Sequence, residues 1–215
     1  WEAGYAIAEL HSGRFFKSAA APLTVKTCAL SRDPVTTLGG VRILPHLTVD
    51  EICLSEAALL ILPGSDTWLT LQHNMILEKA ANFLAAGIPV AAICAATVAL
   101  GRVGLLNGRR HTSNDLDFLR TACGDAYTGE KYYELKPAVA DGDLITAAGT
   151  APLEFARHIL ERLDVFAPAT LEATLPPKGM NEAACDRAID PAARLLADCC
   201  AFATDSWQRL ARSSA

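Results

Sequence analysis

The chain is short of aromatic and charged residues, and these shortages exclude several classes of protein before any motif is considered. Trp, Tyr and Phe make up 7% of its 215 residues and charged residues 20%, against 51% that are apolar. No run of lysine or arginine stands out and the net charge is −5, so neither a nucleic acid nor an anionic membrane is an expected partner. A composition this apolar excludes disorder over most of the chain. There is no Cys-x-x-Cys, and His11, His46, His73 and His158 share no metal-like spacing, so no metal site is expected, and no cofactor. The first residues carry Glu2 and Glu9, which argues against a secretory leader. The uncharged run from Ala85 to Gly101 falls just short of the roughly 18–20 residues of a membrane span, contains Pro89 and is rich in alanine. It reads as a buried strand running into a buried helix, in a soluble protein.

Cysteine, by contrast, is plentiful: the chain holds 7, an odd number. Cys199 and Cys200 are adjacent and cannot form an ordinary unstrained bridge with each other. Most of these thiols read as small core residues in a reducing compartment, the cytoplasm.

Hydrophobic spacing then gives the order of elements. Glu2 to Lys17 reads as a helix and Leu23 to Leu30 as a strand, and Val35 to Val49 looks like a hairpin excursion around Gly39-Gly40. Ala57 to Leu62 is wholly apolar, as a central strand of a parallel sheet is, because both of its faces are covered. A helix capped by Asn74 and ended by Gly87 follows, then the buried strand Ile88 to Ile93 and a helix from Ala95. Arg109 to Thr112 reads as a short strand and Asn114 as the cap of a helix bearing Leu116 and Leu119. Strands Tyr132 to Val139 and Leu144 to Ala147 precede a helix capped by Thr150, with Pro152 in its first turn. Strands alternating with helices imply a doubly wound α/β sandwich with a mostly parallel sheet and helices on both faces. Residues 1–177 are expected to form this domain. Residues 178–215, past Pro176-Pro177-Lys178-Gly179, are expected to add helical material packed on it, with a stripe of Leu196, Cys200, Ala203 and Trp207.

Ala92-Ile93-Cys94-Ala95-Ala96 follows a buried strand and opens a helix. A nucleophile at such a bend needs small residues two positions to either side, and Ala92 and Ala96 meet that demand. Unpaired N–H groups at the helix start favour an anion, so a thiol there is expected to ionise more readily than a free cysteine, and the same groups can hold an oxyanion. The plain alternative is a buried core cysteine at a strand end; the small-residue frame and a second turn at Leu62-Pro63-Gly64-Ser65 favour the functional thiol.

Together these segments resemble the ThiJ/PfpI family of the class I glutamine amidotransferase-like superfamily. Trp1-Glu2 resembles the family's acidic residue, Leu62-Pro63-Gly64-Ser65 its oxyanion turn, and Ala92 to Ala96 its nucleophile elbow. Leu106-Asn107-Gly108-Arg109-Arg110-His111-Thr112-Ser113-Asn114 is similar to the segment after the nucleophile helix. The resemblance implies a flavodoxin-like sheet, Cys94 as nucleophile, Glu2 close to the sulfur and a homodimer. It also implies an activity among peptidases or amidases, glyoxalase- or deglycase-type enzymes, isonitrile hydratases and oxidative-stress proteins. Two departures bear on activity. Ala95 stands where many peptidase-like members have histidine, and the late His-x-Glu of glutamine amidotransferases is absent, which argues against glutaminase activity. The fold's first, central strand has no counterpart here, and residues preceding Trp1 are expected to supply it.

On this basis Cys94 is expected to add to a carbonyl-like carbon of a small-molecule substrate, with the N–H groups of Ala95 and of Gly64 or Ser65 receiving the oxygen. Glu2 orients or protonates; its plain reading is a solvated carboxylate favourable to the helix dipole. His111 relays a proton if it reaches the sulfur, and otherwise is a structural histidine bonded to backbone. A cysteine-dependent hydrolase or amidase leads. A glyoxalase- or deglycase-type enzyme and a non-enzymatic redox sensor using the same thiol are the alternatives.

Overall fold

The computed structural model describes residues 1–174 except 18, 19, 21 and 22. The expected C-terminal helical extension, its apolar stripe and the boundary at Pro177 lie outside the described residues. In chain order the elements are α1 (Gly4–Ser12), β1 (Cys28–Ala29), β2 (Val35–Thr36), β3 (Arg42–Ile43), β4 (Leu47–Thr48) and β5 (Leu60–Leu62). Then come α2 (Asn74–Ala85), β6 (Val90–Ile93), α3 (Ala95–Arg102), α4 (Leu116–Cys123), β7 (Ala138–Asp141), β8 (Leu144–Ala147), α5 (Pro152–Arg162) and α6 (Pro168–Thr174).

The main sheet has the order β5-β6-β8-β7, with β5, β6 and β8 parallel and β7 antiparallel to β8. Strand residues alternate between faces, and β6 shows what that alternation builds. Val90 and Ala92 pack into one apolar cluster with Leu77, Ala80 and Phe83 of α2, Val98 and Leu100 of α3 and Leu119 of α4. Ala91 and Ile93 pack into a second cluster with Ala6 and Leu10 of α1 and Phe155, Ala156, Ile159 and Leu160 of α5. Both faces are covered, which is why β6 is apolar at every position and buried throughout. The result is the three-layer, flavodoxin-like α/β arrangement expected from the sequence.

Several local expectations are corrected. Among the described residues β5 pairs with β6 alone. Of the segment Leu23–Leu30, Cys28–Ala29 forms the strand β1, paired in parallel with β4, and accessibility alternates along the segment's whole length. The helix expected from Glu2 to Lys17 ends at Gly13, whose φ of 58° is the left-handed conformation of a C-cap. Asn74 and Thr150 do not cap their helices; His73 and Ala151 hold those positions, without side-chain caps. The hairpin around Gly39-Gly40 forms as β2 and β3, and Arg109 to Thr112 contributes only a bridge between His111 and Tyr133.

Among the described residues no helix is long and apolar enough to cross a membrane.

Candidate active site

The three parallel strands of the main sheet end side by side, and each is followed by a residue that meets at one point: Gly64 after β5, Cys94 after β6 and Gly149 after β8. The carboxyl ends of parallel strands are where open α/β sheets place their ligands.

Cys94 is the N-cap of α3, with φ 60° and ψ −131°, a conformation few residues other than glycine adopt. Such strain, of order 1–3 kcal/mol, persists only where the surroundings over-determine it. Here they do. The Cys94 N–H donates to the Ala147 carbonyl at 3.0 Å, extending the β6–β8 ladder. Its carbonyl accepts from the Thr97 N–H at 3.0 Å and the Thr97 hydroxyl at 2.6 Å, and that hydroxyl meets Ser113 Oγ at 2.7 Å. The small residues on either side leave room for the bend, and Ala92 and Ala96 are fully buried.

Glu2, just before α1, shares a hydrogen bond with the Cys94 thiol, and its carboxylate accepts the Gly64 N–H. From another side Asn114 bridges the site: its Nδ2 donates to Cys94 Sγ at 3.2 Å and its Oδ1 accepts the Gly149 N–H at 2.8 Å. The Ala95 N–H also donates to the sulfur. Both glycines are sterically required. A Cβ on Gly64 would stand 2.7 Å from the Glu2 carboxylate oxygens and 2.9 Å from Cys94 Cβ. One on Gly149 would stand 2.9 Å from the sulfur.

These contacts act on the thiol in opposite directions. Burial, chiefly, and then the Glu2 charge push the Cys94 pKa up from 9.0 to about 11, against the Asn114 amide and Ala95 N–H, which lower it. The expectation of a readily ionised thiol is therefore corrected: the helix-start N–H is present, but desolvation and a neighbouring carboxylate outweigh it. Burial also raises Glu2 from 4.5, opposed by the Gly64 N–H and the thiol's hydrogen bond. At neutral pH the sulfur therefore keeps its proton.

Two further site expectations change with the geometry. The Gly64 N–H is committed to Glu2, so it is not a free oxyanion donor. His111 is fully buried, with Nδ1 2.7 Å from the Arg109 carbonyl and Nε2 2.7 Å from the Tyr127 hydroxyl. Its ring lies edge-on to Tyr127 and Tyr133, and both nitrogens are engaged away from the sulfur, which fits the structural alternative. Asn114 is the residue of that segment that meets Cys94. The sequence reading assigned it to helix capping, but the cap of α4 is Asp115, whose carboxylate accepts the Phe118 N–H at 2.6 Å. Asn114-Asp115 offers two successive capping residues where one suffices, a signal that frees the other. Gly149 is a site residue that the sequence signals only as a glycine two positions past a buried strand. Among the described residues no group of His, Cys, Asp and Glu is arranged to hold a metal ion.

Known proteins share this sequence and fold. Residues 1–162 match the DJ-1/PfpI family. The chain is 51% identical over 173 residues to a protein of Bacillus subtilis named uncharacterized protease YoaZ, spanning 80% of this chain and 82% of that one. The crystal structure of a thiJ/pfpI family protein from Bacillus anthracis superposes with a TM-score of 0.77 at 50% identity, covering 80% of this chain and 81% of that chain. A DJ-1 superfamily protein from Agrobacterium tumefaciens does so with a TM-score of 0.67 at 32% identity, covering 79% and 89%. Since the match takes in Glu2, Gly64, Cys94, Asn114 and Gly149 within one continuous stretch, the chain belongs to the DJ-1/PfpI family.

Proposed function

We propose that the protein is a cysteine-dependent hydrolase or amidase of small carbonyl or amide substrates, with Cys94 as nucleophile and Glu2 as its base. The observation that supports this most is the hydrogen bond between Cys94 and Glu2 beside the Ala95 N–H. A relative 51% identical that is named a protease points the same way. In the proposed reaction Sγ attacks the carbonyl carbon as its proton passes to the Glu2 carboxylate, and the π pair moves onto oxygen beside the Ala95 N–H. Collapse of that intermediate breaks the bond to the leaving group, which takes the proton from Glu2. Water then adds to the thioester carbon, passing a proton to the Glu2 carboxylate; the C–S bond breaks, the carboxylic acid leaves and the sulfur takes that proton. Asn114 holds the sulfur but cannot accept its proton, which leaves Glu2 as the base in contact with the thiol.

The raised thiol pKa favours this reading over a redox sensor, whose cysteine is typically of low pKa and well exposed. The protein is proposed to act in the cytoplasm as a homodimer.

Activated esters and small amides, followed by nitrophenolate or amine release and by intact mass, test the reading. The wild-type protein is expected to carry one acyl group on Cys94 and to turn over, and Cys94→Ala to do neither. Glu2→Gln separates the roles. Losing the carboxylate charge lowers the Cys94 pKa, so iodoacetamide labels the sulfur faster near pH 8, while turnover falls by about 10²-fold or more for want of a base. Turnover that survives Cys94→Ala overturns the proposal.

A further inference from the structure

We infer that His73 is a positioning residue for this site: through Thr67 and Ser65 it fixes the turn that aims the Gly64 N–H at Glu2. The inference rests on the function proposed above.

The turn Pro63-Gly64-Ser65 has no regular structure of its own to hold it, and the following segment grips it at two points. Trp68, 6% exposed, donates its Nε1–H to the Pro63 carbonyl at 2.8 Å. Ser65 Oγ accepts the Thr67 N–H at 3.3 Å and meets Thr67 Oγ1 at 2.8 Å, and Thr67 Oγ1 meets His73 Nε2 at 2.8 Å. The His73 ring lies against Trp68, centroids 4.9 Å apart, so the two grips are braced against each other. Gly64 lies between the gripped residues, and its N–H is the group that holds the Glu2 carboxylate. Movement of this turn therefore moves the base of the reaction.

His73 is costly for the fold. Its Nδ1 is buried with no hydrogen-bond partner among the described residues, and burial pushes its pKa below 6.5. A leucine would fill similar space with no unpaired polar atom. A side chain that burdens stability while completing a hydrogen-bonded line to the site marks a position where local rules yield to function.

The experiment uses the full chain with His73→Leu, Thr67→Val and Thr67→Ser, assayed on the ester substrate and by amide NMR of Gly64. His73→Leu and Thr67→Val are expected to lower kcat on the order of 10-fold with KM unchanged within about twofold, because the reacting groups are misplaced and the binding surface is kept. His73→Leu should melt no lower than wild type, and Thr67→Ser, which keeps the hydroxyl, should recover wild-type kcat. The Gly64 amide proton, far downfield on its carboxylate, should move upfield in Thr67→Val and stay in Thr67→Ser. Unchanged kcat in both disrupting variants, or a Thr67→Ser as slow as Thr67→Val, overturns the inference. If the wild-type protein shows no Cys94-dependent turnover, the proposed function fails, and the Gly64 signal alone decides the positioning: a signal unmoved by Thr67→Val overturns it.

Discussion

Gly149→Ala adds one methyl group at the point where the site is tightest. The φ of Gly149 lies outside the left-handed region, so alanine can adopt its backbone and the effect is purely steric. The new Cβ would stand 2.9 Å from Cys94 Sγ, 3.1 Å from Cys94 Cβ and 3.3 Å from Glu2 Oε1. Carbon atoms settle at about 3.5–4.0 Å, and sulfur is larger, so the sulfur must retreat by roughly half an ångström or more. It has little freedom to do so, since the Cys94 N–H and carbonyl are both tied and Asn114 holds the sulfur from another side. Overpacking of this kind costs about 1–3 kcal/mol of stability. Misplacing a reacting atom by about 1 Å costs on the order of 10²-fold in rate, so half that displacement is expected to cost about 10-fold. Urea unfolding and the rate of Cys94 acylation, read by intact mass, measure the two effects. Gly108→Ala is the control, because nothing lies within 4 Å of its added Cβ. If Gly149→Ala matched Gly108→Ala in both stability and acylation, the crowding described around the sulfur would be wrong.

Three other perturbations separate the roles of neighbouring groups. Asn114→Asp keeps the side-chain volume but replaces the donor on the sulfur by a carboxylate; iodoacetamide labelling of Cys94 at pH 8 should slow by about 10-fold or more, and equal labelling would remove Asn114 from the site. Tyr127→Phe takes away the hydroxyl on His111 Nε2 and should cost about 1–3 kcal/mol in urea unfolding, leaving Cys94 labelling unchanged; slowed labelling would bring His111 back into the chemistry. The third concerns alkaline stability. The folded Cys94 thiol holds its proton more tightly than the unfolded one, pKa about 11 against 9.0, so its contribution is complete below pH 9 and is lost as the pH rises towards 11. Two pKa units correspond to roughly 3 kcal/mol, and Cys94→Ala should therefore lose less stability than wild type between pH 9 and 11; parallel losses would contradict the shift.

What the sequence made legible was whatever one stretch of chain decides by itself. The apolar run at Val90–Ile93 announces a strand covered on both faces, and the alanines around Cys94 announce a sharp bend, because both are local demands. What it hid depends on residues far apart in the chain. His111 looks like a base until Tyr127, which stands 16 residues away, takes its Nε2. Asn114 looks like a cap until Cys94, which stands 20 residues away, is seen to receive its amide. The Gly64 N–H looks like an oxyanion donor until Glu2, separated by 62 residues, occupies it.

The sign of the Cys94 shift is the most instructive of these reversals. The start of α3 does supply a donor to the sulfur, and taken alone that argument predicts an acidic thiol. It counts one contribution of several, and in a partly buried site next to a carboxylate the others win. With a pKa of about 11, preformed thiolate at pH 7 is only about one part in 10⁴, on the order of 100-fold less than a free cysteine provides. A reagent that needs a ready-made thiolate should therefore react slowly with the wild-type protein. On the proposed mechanism a carbonyl substrate differs, because its oxygen or leaving group can use the proton that Glu2 removes, so the transfer and the attack assist each other. Comparing iodoacetamide with an activated ester on the same protein reads this directly. The ester should be favoured over the alkylating agent in wild type and lose that preference in Glu2→Gln, and a preference that persists without the carboxylate would show that Glu2 is not the base.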